Sequence, residues 1–277
     1  MYINSHLHRR RTIILVALLT GAGYSGRLAA QVGLGLAPMR QELPIAPGSQ
    51  QSGALTLTNN APAKTRLRVE LLDFFIDQQA TPQFGRALPS EADYSCRQWL
   101  SLNPMEAELD AGGKLLVRYT IRVPASAPAR SYYCAAGFTT LPTAEHASGI
   151  GLKTAVRIVT TFYVIVGDPA VEGEIKDIKL EHTKTANPAG GRAVVLIQNR
   201  GFRYFRPEGS LEVLDGAGQV VESAPFPSIP ILPKRDQPFL FPLRTPVQDG
   251  RFTLRARVRL GNGEIQEATA VVEAKTP

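Results

Sequence analysis

The sequence predicts an all-β chain of two antiparallel β-sandwiches. Three observations carry that prediction. Apolar residues recur with a period of two in short runs, and no window shows the helical period. The 24 Gly and 21 Pro fall largely between these runs, where turn chemistry requires them. One run, Lys153 to Val166 (KTAVRIVTTFYVIV), lacks both residue types and ends at the stop signal Gly167-Asp168-Pro169. In it Val156, Ile158, Phe162, Val164 and Val166 alternate with Ala155, Arg157, Thr161 and Tyr163. It reads as the last strand of a first sandwich feeding an elbow into a second; the alternative is an ordinary core strand.

The first 30 residues stand apart. His8-Arg9-Arg10-Arg11 precedes the short apolar stretch Thr12 to Leu19, and Leu28-Ala29-Ala30 supplies small residues before Gln31. This is the layout of a secretory signal peptide cleaved after Ala30, and the apolar stretch is too short to span a bilayer. The expected address is the periplasm, with the extracellular space as the alternative, and the mature chain is expected not to span a membrane. Cleavage removes four of the 31 basic side chains and no acidic one, leaving 27 against 24. A net charge of +3 is too weak to imply nucleic acid. Cys96 and Cys134 are the only cysteines, and in an exported protein a single disulfide is the simplest reading.

In the first domain, residues 31–168, Val32, Leu34 and Leu36 form a short strand interrupted by Pro44 and Pro47-Gly48. Gly53 to Thr58 and Leu67 to Leu71 follow, separated by the turn signal Asn59-Asn60. Residues 77–95 read as a loop or irregular edge, and Cys96 to Leu102 as a strand ending at Asn103-Pro104. Leu115, Val117, Tyr119, Ile121 and Val123 alternate with Leu116, Arg118, Thr120 and Arg122, one face buried and one wet. Ser131 to Thr140 places Tyr132, Cys134, Ala136 and Phe138 on one face. Tyr132 two residues before Cys134 matches the tyrosine corner of immunoglobulin-like domains, although the second strand lacks the antibody cysteine.

The second domain, residues 169–277, offers strands at Glu174 to Leu180, Arg192 to Gln198, Leu211 to Leu214 and Gln219 to Glu222. Residues 225–238, rich in Pro, are expected to cross the surface; Phe252 to Leu260 and Glu264 to Val272 complete a smaller sandwich. The row Arg255, Arg257, Arg259 is either a docking face for an acidic partner or a solvated face balanced by acids such as Glu264 and Glu267. No catalytic motif is present: there is no Gly-x-Ser-x-Gly, phosphate loop or His-Glu-x-x-His. Glu145-His146 has no obvious third partner, and His182, near a strand end, reads as structural or solvent-facing. The expectation is a non-enzyme without cofactor or metal, acting by binding.

With these elements in place, the chain resembles the periplasmic chaperones of the chaperone–usher pilus-assembly pathway, mainly over residues 32–166. The resemblance rests on Pro47-Gly48-Ser49 leading to Leu55-Thr56-Leu57-Thr58-Asn59-Asn60, on Trp99 to Pro104, on Leu109 to Gly113, on Val117 to Pro124, and on the long strand reaching Phe162-Tyr163. It implies a periplasmic boomerang of two immunoglobulin-like domains that binds pilin-type subunits, with an outer-membrane usher as a further partner. The last strand of domain one would be lent to an incomplete subunit by β-augmentation. Its apolar donor residues would be Ile150, Leu152, Val156 and Ile158, an alternation that Thr154 breaks. Two basic residues would anchor the subunit's carboxylate. Arg40 matches one; the slot of the other holds Thr160 or Thr161, and Arg157 is the nearest basic residue. Asn199-Arg200-Gly201, Arg206-Pro207-Glu208-Gly209 and Asp215 to Gly218 instead look like secreted modules of bacterial surface proteins. The alternative function is therefore a structural or adhesive envelope protein. Amino-terminal sequencing of exported protein is expected to read from Gln31; an intact leader would remove the signal assignment.

Overall fold

The structure, a computed structural model, describes residues 33–141, 155–182, 191–244 and 250–274. Ten strands build the first sandwich: β1 (Leu34–Ala37), β2 (Arg40–Pro44), β3 (Gln50–Asn59), β4 (Thr65–Ile76), β5 (Pro82–Gly85), β6 (Leu100–Asn103), β7 (Glu106–Leu109), β8 (Lys114–Arg122), β9 (Arg130–Leu141) and β10 (Arg157–Val166). One sheet has the order β1-β3-β8-β6; the other runs β2-β10-β9-β4-β5, with β7 also on β4. The second sandwich comprises β11 (Gly173–His182), β12 (Gly191–Asn199), β13 (Glu208–Leu214), β14 (Val220–Pro225), β15 (Asp236–Pro242), β16 (Gly250–Arg259) and β17 (Ile265–Ala274). Its sheets are β11-β12-β15 and β14-β13-β16-β17. The all-β, immunoglobulin-like expectation holds, with no sheet shared between the sandwiches. Among the described residues, no helix is long and apolar enough to cross a membrane.

Alternation predicts the cores. Leu55, Leu57, Val117, Tyr119, Ile121, Phe138, Phe162 and Val164 meet between the first two sheets, while Val195, Ile197, Leu211, Phe239, Leu254 and Val258 fill the second. The expected staple is present: Cys96 and Cys134 are bonded, their Cα atoms 5.2 Å apart. Closing a loop of this length removes roughly 4 kcal/mol of unfolded-chain entropy. Tyr132 forms the corner, its hydroxyl donating to the Pro128 carbonyl at 3.1 Å. Each sandwich also uses a buried asparagine to hold a turn. Asn59 donates to the carbonyls of Ala63, Leu109 and Asp110, and Asn199 to those of Arg203 and Ile231.

Several boundaries differ from the sequence reading. The first strand does not simply break at Pro44: β1 pairs with β3, and the chain then switches sheets so that β2 runs parallel to β10. Cys96 to Trp99 is a turn, closed by the Trp99 amide on the Cys96 carbonyl, and the strand starts at Leu100. Residues 77–95 hold β5 and a 3₁₀ turn, Pro89–Tyr94. The Pro-rich stretch buries Phe226, Ile231 and Leu232, and β15 begins within it. Its prolines conceal an edge strand, the one sheet position that tolerates them.

The two sandwiches meet over the outer face of the β10 sheet. Leu72, Phe74, Tyr133, Ala135 and Tyr163 from the first pack with Tyr204 and Leu232 from the second. This explains why β4 and β9 depart from in–out alternation: both faces are covered. At the elbow Gly167 takes a φ of 69°, and a Cβ there would lie 3.0 Å from that of Ala129. Polar contacts fix the junction. Ser131 is fully buried; its amide donates to the Phe202 carbonyl at 2.8 Å and its hydroxyl accepts from the Tyr204 amide at 3.1 Å. Glu91, 2% exposed, takes the Tyr133 hydroxyl and the Arg235 guanidinium, each at 2.6 Å. Deleting that carboxylate strands a buried phenol and a half-buried cation. Glu91→Ala is expected to cost about 2–3 kcal/mol, measured as a lowered denaturation midpoint, and Glu91→Gln less.

Candidate functional site

The site is built on β10. Its even residues Phe162, Val164 and Val166 enter the first core, and its odd residues Val159, Tyr163 and Ile165 face the second sandwich. One edge pairs with β9 along the whole strand, from Arg157 opposite Thr139 to Val166 opposite Arg130. Among the described residues, the other edge is only half occupied. Parallel β2 covers Thr161 to Ile165, and the last rung toward the strand start is the Thr161 amide on the Met39 carbonyl, 3.0 Å.

Ladder parity fixes where the main-chain groups point. The Thr140 amide bonds the Val156 carbonyl at 2.9 Å, so positions 156, 158 and 160 face β9 and positions 157, 159 and 161 face away. Among the described residues, the Arg157 and Val159 amide and carbonyl groups have no backbone partner on that outer edge. The long strand thus keeps a free flank only over its first residues; near the elbow its own chain closes it.

The candidate donor residues divide accordingly. Val156 and Ile158 are half-buried, Ile158 packing against the first core, and β10 begins at Arg157, one residue after Val156. Ile150, Leu152 and Thr154, like Glu145 and His146, lie outside the described residues; His182 ends β11.

The two candidate anchors do not converge. Arg157 reaches across β9 to Glu70, 3.0 Å, and Arg86 binds the same carboxylate. Gly137 makes that path possible, since a Cβ there would sit 2.8 Å from the Arg157 Nε. Arg40 lies opposite Thr161, four positions along β10, and pairs with Glu42 at 3.1 Å. Sequence reasoning missed the second cation beside Arg40. Arg206, from the second sandwich, lies with its Nε 3.6 Å from the same Glu42 oxygen and its guanidinium 5.2 Å from the Tyr163 ring centre. Glu42 two residues after Arg40 on a strand was a usable signal, because i and i+2 share a face. Arg206 had none, its neighbours being set by tertiary structure.

The Arg ladder on β16 is balanced. Arg255 pairs with Glu212 (2.5 Å), Arg257 with Glu267 (3.1 Å) and Arg259 with Glu208 (3.8 Å), all across neighbouring strands. Of the two acids expected, Glu267 takes part, while Glu264 bonds Asn262. The second sandwich also ties its open corners. Gln266 on β17 accepts from the Ile175 amide and donates to the Gly173 carbonyl on β11. Glu222 on β14 accepts from the Arg244 amide just beyond β15. Among the described residues, no three His, Cys, Asp or Glu side chains are grouped to hold a metal ion.

No protein-family model and no curated protein matches this chain. Solved structures similar to it include a chaperone–tip adhesin complex of CFA/I fimbriae, with 10% identity and a TM-score of 0.46 over 87% of this chain and 99% of that one. Another is the YadV chaperone, 14% identical with a TM-score of 0.46 over 87% and 100% of the two chains. A third is the Salmonella enterica SafA pilin in complex with the SafB chaperone, 13% identical with a TM-score of 0.42 over 86% and 96%.

The phenols at the junction respond to pH. Burial pushes Tyr133 far above its ordinary range, and its hydrogen bond to Glu91 adds to the shift. Burial likewise raises Tyr163, opposed by Arg206, and raises Tyr204, reinforced by the charge of Glu42. A folded-state pKa above the unfolded value means that the folded chain holds its protons longer. The associated stability is complete below pH about 10 and is lost as pH rises beyond it. Tyrosinate absorbance at these three positions is therefore expected to appear together with alkaline unfolding, and Tyr204→Phe to shift that unfolding to higher pH.

Proposed function

We propose that this chain is an exported, periplasmic chaperone-like protein that binds pilin- or fimbrial-type subunits by β-strand addition and assists their folding and assembly. The observation that carries the reading is the flank at the start of β10 that the backbone of the described residues leaves unpaired, where Arg157 and Val159 present outward main-chain groups beside the half-buried Val156 and Ile158. An unpaired strand flank is a template for a foreign strand. The contrast with the second sandwich supports it, since side chains there tie the open corners.

The flank also favours one direction. An added strand would lie in line with β2 and be stopped end-on by Met39 and Arg40. Running parallel to β10, it would bring its carboxyl end to Arg40; running antiparallel, it would bring an ammonium there. The guanidinium favours the first. Arg40 thus serves as an anchor, whereas Arg157, held by Glu70, steadies the flank in preference to gripping the ligand. The periplasmic address, the usher as a further partner and a donor role for Ile150 and Leu152 belong to the same proposal. For the second sandwich alone, the balanced Arg face favours a passive structural role.

Proline scanning separates this reading from a core role for β10. Val159→Pro removes an outward amide and leaves the β9 ladder intact, whereas Ile158→Pro breaks that ladder. The Val159 variant is expected to melt near the parent temperature and to bind a purified pilin-type subunit lacking one strand about tenfold more weakly or worse. Ile158→Pro is expected to lose about 1–3 kcal/mol of stability, from the broken ladder hydrogen bond and the carbonyl it strands. A Val159→Pro protein that forms the one-to-one complex as the parent does would end the strand-addition reading.

A further inference from the structure

We propose that Glu42 is a built-in occupant of a carboxylate site formed jointly by Arg40 of the first sandwich and Arg206 of the second, and that a partner's carboxylate competes with it. The two guanidiniums approach one and the same oxygen of Glu42, at 3.1 and 3.6 Å. The site is thus already selective for this chemistry, and the occupant is a side chain of the protein itself.

The occupant fits imperfectly. The Arg206 side chain is only 15% exposed and is held in place by its terminal nitrogen on the Ser228 carbonyl, 2.8 Å, and by the Tyr163 ring beneath it. Its Nε–H is buried and has no hydrogen-bond partner among the described residues, because 3.6 Å is beyond bonding distance. A buried donor left unmet is costly, and a carboxylate seated closer would meet it. Two cations on one anion also leave a positive charge to be balanced. Glu42 is tethered two residues from Arg40 on a strand and keeps 43% of its side chain exposed, so it can swing out toward solvent, giving up its contacts with Arg206 and the Tyr204 hydroxyl.

The location matches the approach of a ligand. Arg40 opens β2 at the end of the free flank of β10. The inference rests on the strand-addition reading for that direction of approach only. Arg206 then makes the second sandwich part of the binding site.

The test uses probes too short to pair with a sheet edge. The mature protein is titrated with N-acetylglycine, which carries a chain-end carboxylate, with the monoamide of glutaric acid, which carries a side-chain-type carboxylate, and with N-acetylglycinamide. The Arg206 Nε–H resonance is followed by NMR. N-acetylglycine is expected to shift that resonance, Glu42→Gln to tighten its binding about fivefold, Arg40→Ala to abolish the shift, and the amide to do nothing. A stronger response to the glutarate probe supports the site with acidic side chains as its source. Glu42→Ala, checked for an unchanged melting curve, guards against a folding artefact of the Gln variant. An Arg206 resonance that neither carboxylate moves, or affinity unchanged in both Glu42 variants, overturns the proposal. Either failure leaves strand addition standing, and a Val159→Pro protein that still binds subunit leaves this site standing.

Discussion

The constraint on which the molecule depends is that β10 must serve two apolar interiors at once. Phe162, Val164 and Val166 are sealed in the first core, while Tyr163 and Ile165 pack toward the second sandwich. Burying each such side chain is worth about 1.5–3 kcal/mol, so this one strand ties the first sandwich to the junction. The same requirement removes Gly, Pro and, over its last residues, every charge from its sequence. What polarity remains is confined to the start, at Arg157, Thr160 and Thr161. The binding flank and the structural half of the strand are therefore successive parts of one element.

Charge plays two distinct parts. Across the β16 face, and between Glu106 and the pair Arg66 and Arg68, surface ions match across strands, where solvent screens them. Hydrogen bonds from Arg68 and Arg66 hold the Glu106 carboxyl below its usual range, yet the group lies at the solvated surface and adds little to stability. At the junction the balance differs. Glu91 is buried, and its partners Tyr133 and Arg235 come from different sandwiches, so the contact sets an angle as well as adding energy.

The sequence makes most of this fold legible, for a reason visible in β8. A sheet with one wet face writes its period plainly, and Val117, Tyr119 and Ile121 fall inward as the pattern requires. Legibility fails where both faces are covered. β4 was readable from Leu67 to Leu71 but not through Leu72, Phe74 and Ile76, because the second sandwich covers the outer face there. β15 was hidden by Pro238 and Pro242. Of the site, the strand and Arg40 could be read directly. The commitment of Arg157 to Glu70 could not, since Glu70 lies 87 residues earlier and meets it only through sheet order. Arg206 belongs to the same class: its meaning comes from a partner in the other sandwich.

The sheet switch at β1 and β2 carries an implication for the order of events as the chain is made. Among the described residues β2 has one strand partner, β10, and that partner follows about 120 residues later. The earliest strands emerge with half of their hydrogen bonding deferred, and the sandwich closes only when the newest strand meets one of the oldest. Until then the β10 edge is exposed along its full length, not only at its start. Nascent protein therefore passes through a stage in which its own β2 and any foreign strand are rivals for one seam. Intramolecular tethering gives β2 the advantage, and the partial gap left afterwards is what that contest leaves unclaimed.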